Sequence, residues 1–215
     1  MGPMSSTDTD FRPGRPTPAQ QRLLLGVAAQ AIRYGLTHQD IMPVSLDDYA
    51  DGEDALLLET RATFVTLKID EQLRGCIGTL NPLRPLIKDV AYNASQAAFH
   101  DPRFDPLQPQ ELEALHISIS ILSSAEKMQV TSEADLIEQL RPGEDGLIIH
   151  DGRHRATFLP SVWQQLPEPN TFVHHLKLKA GLAPDDWPDT MMVERYGSFE
   201  FGEDASELLS SDTGP

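Results

Sequence analysis

Cys76, the only cysteine of the chain, stands between two glycines in the stretch Leu73-Arg74-Gly75-Cys76-Ile77-Gly78-Thr79. A cation beside a thiol favours the thiolate, the form that attacks electrophiles. In an extended segment side chains alternate between faces, so Arg74, Cys76 and Gly78 are expected to share one face. Cys76 and Arg74 are therefore the candidate catalytic pair, with Arg74 as a fixed positive charge on the side of the thiol. Gly75 and Gly78 leave room for a ligand or a second backbone to come close. The competing reading is an inert, packed thiol, because free cysteine is among the most buried residue types.

Further along, His100-Asp101-Pro102-Arg103-Phe104 is the second stretch of interest. Asp101 suits an Asx turn ahead of Pro102. Arg103 can then clamp an anionic group of a ligand or pair with Asp101. The plainer alternative is a helix stop with a surface ion pair, which contributes little energy. His116 and His150 are the histidines considered as a base for the thiol. Ser118, on the same strand face as His116, and His150 complete the candidate ligand contacts, with Gly75, Gly78, Asp101, Arg103 and Phe104.

The remaining histidines argue against a metal. Asp151-Gly152 is a favoured two-residue hairpin turn. It would set His150 opposite Arg153 and Ile149 opposite His154, so His150 and His154 would face opposite ways. His174 and His175 are neighbours on an expected helix, about 100° apart. No H-E-x-x-H, P-loop or G-x-G-x-x-G pattern occurs, so no metal is expected and no cofactor is indicated. Residues 38–60 hold Asp40, Asp47, Asp48, Asp51, Glu53, Asp54 and Glu59 with no Lys or Arg, and read as a solvated connection.

These residues need a frame. Thr17-Pro18-Ala19-Gln20 is a capping box with proline at the first helical position, and Gly35 is the expected end of that helix. Residues 61–70 alternate, with Val65, Leu67 and Ile69 on one face and Phe64, Thr66 and Lys68 on the other, as a strand does. Glu71-Gln72 turns the chain into the cysteine strand. Asn81-Pro82 is the expected start of a second helix, whose apolar face runs through Leu83, Leu86, Ile87, Val90, Ala94, Ala97 and Ala98 to a stop at Pro102. His116-Ile117-Ser118-Ile119-Ser120-Ile121-Leu122 is the cleanest strand. A helix capped by Ser132, a hairpin over 146–160, a helix over 171–182 ending at Gly181, and one strand over 191–201 follow. Strands and helices mix without strict alternation, which predicts an α+β fold. Residues 1–16 and 202–215 are expected to be disordered, leaving 17–201 as the ordered domain.

The chain has 215 residues, 40% of them apolar, enough for a core. Its 17 basic and 33 acidic residues give a net charge of −16, which disfavours nucleic acid or an anionic membrane as a partner. The local cations Arg74, Arg84, Lys88 and Arg103 do not change that balance. The first 16 residues lack the apolar core of a signal peptide, no apolar run reaches membrane-spanning length, and one cysteine suits a reducing compartment. A cytoplasmic protein is expected.

Six stretches in this order, LRGCIGT, HDPRF, HISISIL, DGLIIHDG, FLP and LKLKAGLAPDDW, closely resemble the AMMECR1 domain family, and within it the bacterial type called AmmeMemoRadiSam system protein A. The resemblance covers roughly residues 17–201. It implies an α+β fold of two unequal lobes, with a mixed or antiparallel sheet and flanking helices around a cleft that Arg74, Gly75, Cys76 and Gly78 line. Asp101, Arg103 and Phe104 match the family's second motif. It also implies a small-molecule ligand and a pathway shared with Memo-type and radical SAM proteins as possible partners. The choice between an enzyme and a non-catalytic binding or adaptor module stays open. Many relatives have a histidine before the hairpin glycine; Asp145 holds that place here, which speaks against a Cys–His dyad through it.

Overall fold

Helix α1 (Pro18–His38) begins where Thr17 accepts the Gln20 amide and Gln20 reaches back to the Thr17 N–H, the reciprocal cap expected. In this computed structural model, which describes residues 15–49, 55–183 and 185–210, the helix runs past Gly35. Gln39 closes it in the left-handed conformation (φ 54°). Gly35 serves packing instead: a Cβ there would meet Phe99 at 2.3 Å. The expected disorder at 1–14 and 211–215, and Asp51, Glu53 and Asp54, lie outside the described residues.

A single 3₁₀ turn (Asp47–Tyr49) and a short helix α2 (Ala55–Leu58) lead to β1 (Thr60–Arg61), β2 (Thr63–Ile69) and β3 (Gln72–Gly78). The turn between β2 and β3 uses positive φ at Asp70 and Glu71. The helix expected from Asn81 starts later. Arg84–Pro85 first forms β4, paired with β1, and α3 spans Leu86–Phe99. That pairing uses extended backbone where the helix would have begun, and Leu83 is left exposed. The rest of the expected apolar face, Leu86, Ile87, Val90, Ala94, Ala97 and Ala98, is buried.

β5 (His116–Leu122) completes the first unit's central pairing, and its Ile117, Ile119 and Ile121 are buried as their alternation predicts. The chain continues through β6 (Glu126–Lys127), α4 (Glu133–Gln139), β7 (Gly146–His150), β8 (Arg155–Phe158), α5 (Pro169–Ala180) and β9 (Met192–Tyr196). It ends with β10 (Ser198–Asp204) and α6 (Ala205–Ser210). The single strand expected over 191–201 is thus two. They part at Gly197, whose N–H donates to Ser123 Oγ at 2.8 Å, and join different sheets. The expectation of a loose tail fails over 205–210, where α6 buries Ala205.

The strand order is β10-β5-β2-β3 in one four-stranded sheet and β6-β9-β7-β8 in another, so the fold is α+β. The described chain divides into two units, 15–122 with 199–210, and 123–198. In the first, Val65, Leu67, Ile117 and Ile119 form one core with the buried faces of α1 and α3. In the second, Leu147, Ile149, Phe172 and Val193 pack with Trp163, which stacks on Phe172 at 3.8 Å and donates its indole N–H to the Asp145 carbonyl. The hairpin of this unit differs from expectation. Asp151 accepts the amides of Arg153 and His154, which extends the turn to Asp151–His154 and sets His150 opposite Arg155 and Ile149 opposite Ala156.

Among the described residues no helix is long and apolar enough to cross a membrane.

Candidate functional site

The register of β2 and β3 decides where the thiol points. Ile69 pairs with Gln72 and Lys68 with Leu73, but Leu67 then pairs with Gly75 and Thr66 with Cys76. Arg74 is the extra residue of a β-bulge. Without it, Arg74 would lie opposite Leu67 and Cys76 opposite Val65, both on the core face. Burying an unpaired guanidinium there would cost several kcal/mol, more than a regular ladder returns. A bulge re-aims the side chains that follow it. Here it transfers Cys76 to the face of Thr66, and gives the core position to Gly75.

The two glycines meet the protein's own backbone. A Cβ on Gly75 would lie 2.2 Å from the Ala97 carbonyl of α3, and one on Gly78 would lie 2.3 Å from the Thr63 carbonyl. Of the two reasons expected for these glycines, close approach of another chain segment is the one seen.

Arg74 does not share the thiol's face as a regular strand would require. Its guanidinium makes two bonds to Glu111, Nε to Oε1 at 2.7 Å and Nη2 to Oε2 at 3.0 Å. These bonds hold the Glu111 carboxyl below its usual range, and Glu111 raises Arg74 in turn. Arg74 Nη1 is buried and has no hydrogen-bond partner among the described residues. The charge placed by expectation beside the thiol is thus neutralised by Glu111.

A second cation reaches the backbone of Cys76. α3 ends at Phe99, and the chain turns through Asp101, whose side chain is 2% exposed. Its Oδ1 accepts the Arg103 amide at 3.1 Å, the expected Asx turn. Its two oxygens also take Arg103 Nε at 2.9 Å and Nη2 at 2.7 Å. Asp101 Oδ2 accepts the Cys76 N–H at 2.9 Å, and Arg103 Nη2 donates to the Cys76 carbonyl at 3.2 Å. The second motif therefore occupies the backbone groups of Cys76 on the outer edge of β3, the last strand of its sheet. This is more than the surface ion pair weighed against it. Arg103, and foremost its side-chain hydrogen bonds, holds the Asp101 carboxyl well below the usual carboxylate range, against a smaller opposing push from burial. Arg103 is itself raised, first by its hydrogen bond to Asp101 and further by charge and hydrogen bonding with Cys76. Its guanidinium also lies 5.5 Å from the centre of the Phe104 ring.

Cys76 is half-buried, and the Thr66 hydroxyl donates to its sulfur at 3.3 Å. Ser118 pairs with Thr66, so Ser118, Thr66 and Cys76 form one row across three strands on the same face. Thr66 was not a candidate from sequence; the regular hairpin register puts Val65 opposite Cys76, and only the bulge selects Thr66. Glu111 was missed because nothing local links it to Arg74.

Among the described residues no histidine is hydrogen-bonded to the sulfur. His116 pairs with Lys68, one row away and two strands from β3, and its Nδ1 lies 2.8 Å from Asp204 Oδ1. His150 belongs to the other unit, paired with Arg155 and Met192. Asp145 is fully buried there as a structural anion, 2.7 Å from Arg141 and 3.8 Å from Arg195. Among the described residues no group of three His, Cys, Asp or Glu could hold a metal ion.

A protein of Methanothermobacter thermautotrophicus is 36% identical over 186 residues, covering 85% of this chain and 94% of its own. One of Methanopyrus kandleri is 38% identical over 139 residues, and there the match spans 65% of the relative's length. The crystal structure of an uncharacterised protein from Pyrococcus horikoshii superposes with a TM-score of 0.73 at 27% identity, covering 85% of this chain and 91% of that one. The AMMECR1 family model matches residues 25–201, which includes both the cysteine strand and the Asp101–Phe104 turn, and the chain belongs to the AMMECR1 family.

Proposed function

We propose that the chain is an enzyme, or the subunit of one, in which the Cys76 thiol acts on a small molecule. The observation that carries this reading is a half-buried thiol on a residue whose backbone N–H and carbonyl are held by Asp101 and by the Arg103 guanidinium. An adjacent cation favours the thiolate. The Thr66 hydroxyl donates to the sulfur. In this scheme Cys76 is the nucleophile, Arg103 stabilises the thiolate or a substrate anion, and Asp101 positions Arg103. Arg74 anchors the strand through Glu111 rather than touching the reacting sulfur. The resemblance of the motifs to AmmeMemoRadiSam system protein A adds a pathway shared with Memo-type and radical SAM proteins, and the lone thiol suits the cytoplasm.

The test is alkylation of the folded chain by iodoacetamide at pH 7. Cys76 is expected to react faster than N-acetylcysteine, and Arg103→Gln is expected to slow it about fivefold or more. A rate no faster than that of the free thiol, or one indifferent to Arg103, refutes the activated-thiol reading.

A binding or adaptor module is the second reading. It is favoured by the absence, among the described residues, of any His, Asp or Glu side chain hydrogen-bonded to the sulfur. A folded Cys76→Ala protein that fully complements a deletion strain would decide for it.

A further inference from the structure

A cavity of about 740 Å³ opens in the first unit, where the C-terminal turns of α1 and α3 meet the segment 106–109. This is the size of a small-molecule site, roughly 300–1,000 Å³. Leu36, Phe99 and Leu107 supply apolar wall. Ser95 lies on the same wall, 2% exposed, and its hydroxyl has no hydrogen-bond partner among the described residues. The hydroxyl offers a ligand one donor and acceptor at the cavity wall.

The electrostatics of the cavity select the ligand. Both helices turn their C-terminal ends to it, and each such end carries about half a negative charge. Asp40, at the rim, adds a carboxylate: its Oδ1 accepts the Ile41 amide at 2.7 Å, and the side chain is exposed. No lysine or arginine is among the described lining residues. An anion would meet three sources of negative potential, with His100 the one basic side chain among the described lining residues. A neutral apolar molecule would leave the Ser95 hydroxyl and the helix ends unused. The Phe99 ring offers a face on which a cation is attracted as well.

The geometry points to a site for a small organic cation, a primary ammonium on a compact apolar body. The ammonium lies between Asp40, the two helix ends and Ser95. The apolar body rests against Leu36, Phe99 and Leu107. This reading is separate from the chemistry proposed for Cys76, which lies on β3, and each can fail without the other.

The test uses the full chain and three probes of one shape: benzylammonium, benzyl alcohol and benzoate. Binding is followed by amide shifts in ¹H–¹⁵N spectra. Benzylammonium is expected to give saturable shifts at residues 35–41, 95–100 and 106–109, and to bind about fivefold or more tightly than benzyl alcohol, with benzoate weakest. Asp40→Asn keeps an acceptor for the Ile41 amide. It is expected to weaken benzylammonium about fivefold and leave benzyl alcohol unchanged. Cys76→Ala is expected to change none of these values. Benzoate binding as well as benzylammonium, an Asp40→Asn protein that binds benzylammonium normally, or the absence of saturable shifts at these residues overturns the proposal.

Discussion

Replacing Asp101 with Asn is expected to lower the unfolding free energy by about 3 kcal/mol, because one nearly buried carboxylate satisfies four donors. The amide oxygen of Asn can replace one carboxylate oxygen. The amide NH₂ would then face donors: Cys76 N–H and Arg103 Nη2 if it stands at Oδ2, Arg103 N–H and Nε if at Oδ1. Most of the loss falls on the Cys76 N–H or the turn, since the Arg103 side chain is 53% exposed and water can solvate it. Equilibrium urea unfolding measures the difference. The pH dependence follows from the direction of the shift. A carboxyl held below its ordinary value in the folded state adds stability above the unfolded value, about 3.9. That contribution is lost only as pH falls through the folded value. The gap between wild type and Asp101→Asn is therefore expected to be constant from pH 8 to about pH 5 and to shrink in stronger acid. A gap that closes near neutrality would mean that Asp101 is not the group holding the edge of β3.

Gly75→Ala carries the second large effect. The added Cβ would sit 2.2 Å from the Ala97 carbonyl oxygen, which is helix backbone and cannot rotate away. Ordinary contact is more than 1 Å longer, so α3 must shift relative to β3 or the bulge must be lost. Overpacking of this kind costs about 1–3 kcal/mol, and a backbone obstacle places it near the top of that range. The melting temperature is expected to fall by roughly 6–12 °C. If the bulge is lost, Cys76 returns to the core face and its alkylation slows in the folded state. A Gly75→Ala protein with unchanged melting temperature would show that α3 is not seated on this glycine.

Much of the frame can be read directly from residue patterns, because its signals are local. The Thr17 cap, the Ile117-Ile119-Ile121 alternation and the Gly181 helix end each depend on neighbours a few residues apart, and each is found in place. The failures are instructive in the same terms. Asn81-Pro82 satisfies the local rule for a helix start, yet the pairing of Arg84 with Arg61 across β1 and β4 overrides it. Gly197 reads as one glycine inside a strand, but marks the point where the chain changes sheet.

The site was legible in its membership and not in its wiring. Cys76, Asp101 and Arg103 were found by type and by motif, and the structure joins them through the Cys76 backbone. The partner of each cation was not. Strict alternation assigns Arg74 to the thiol, whereas a single bulge shifts the register and Arg74 pairs with Glu111, 37 positions away. A one-residue slip moves every later side chain to the other face. No short pattern in Gln72–Gly78 announces the slip except Gly75, whose missing side chain makes the core position free.

The meeting of Ser123 and Gly197 has a consequence for biosynthesis. Ser123 N–H donates to the Gly197 carbonyl at 2.9 Å, so the two ends of the 123–198 unit lie side by side. β5 is flanked by β2 on one side and β10 on the other. While the ribosome adds residues 123–197, the outer edge of β5 has no partner, for roughly 4–15 s at ordinary elongation rates. The intervening unit holds its own strand pairings, β6 with β9, β7 with β8 and β7 with β9, and needs no strand of the first unit to close. The order of completion is then inverted relative to the order of synthesis: the later segment finishes first, and the earlier one waits for its last strand. Limited proteolysis of ribosome-stalled chains ending soon after β9 has cleared the exit tunnel should find 123–197 protected and β5 open; equal protection of both would reverse the order.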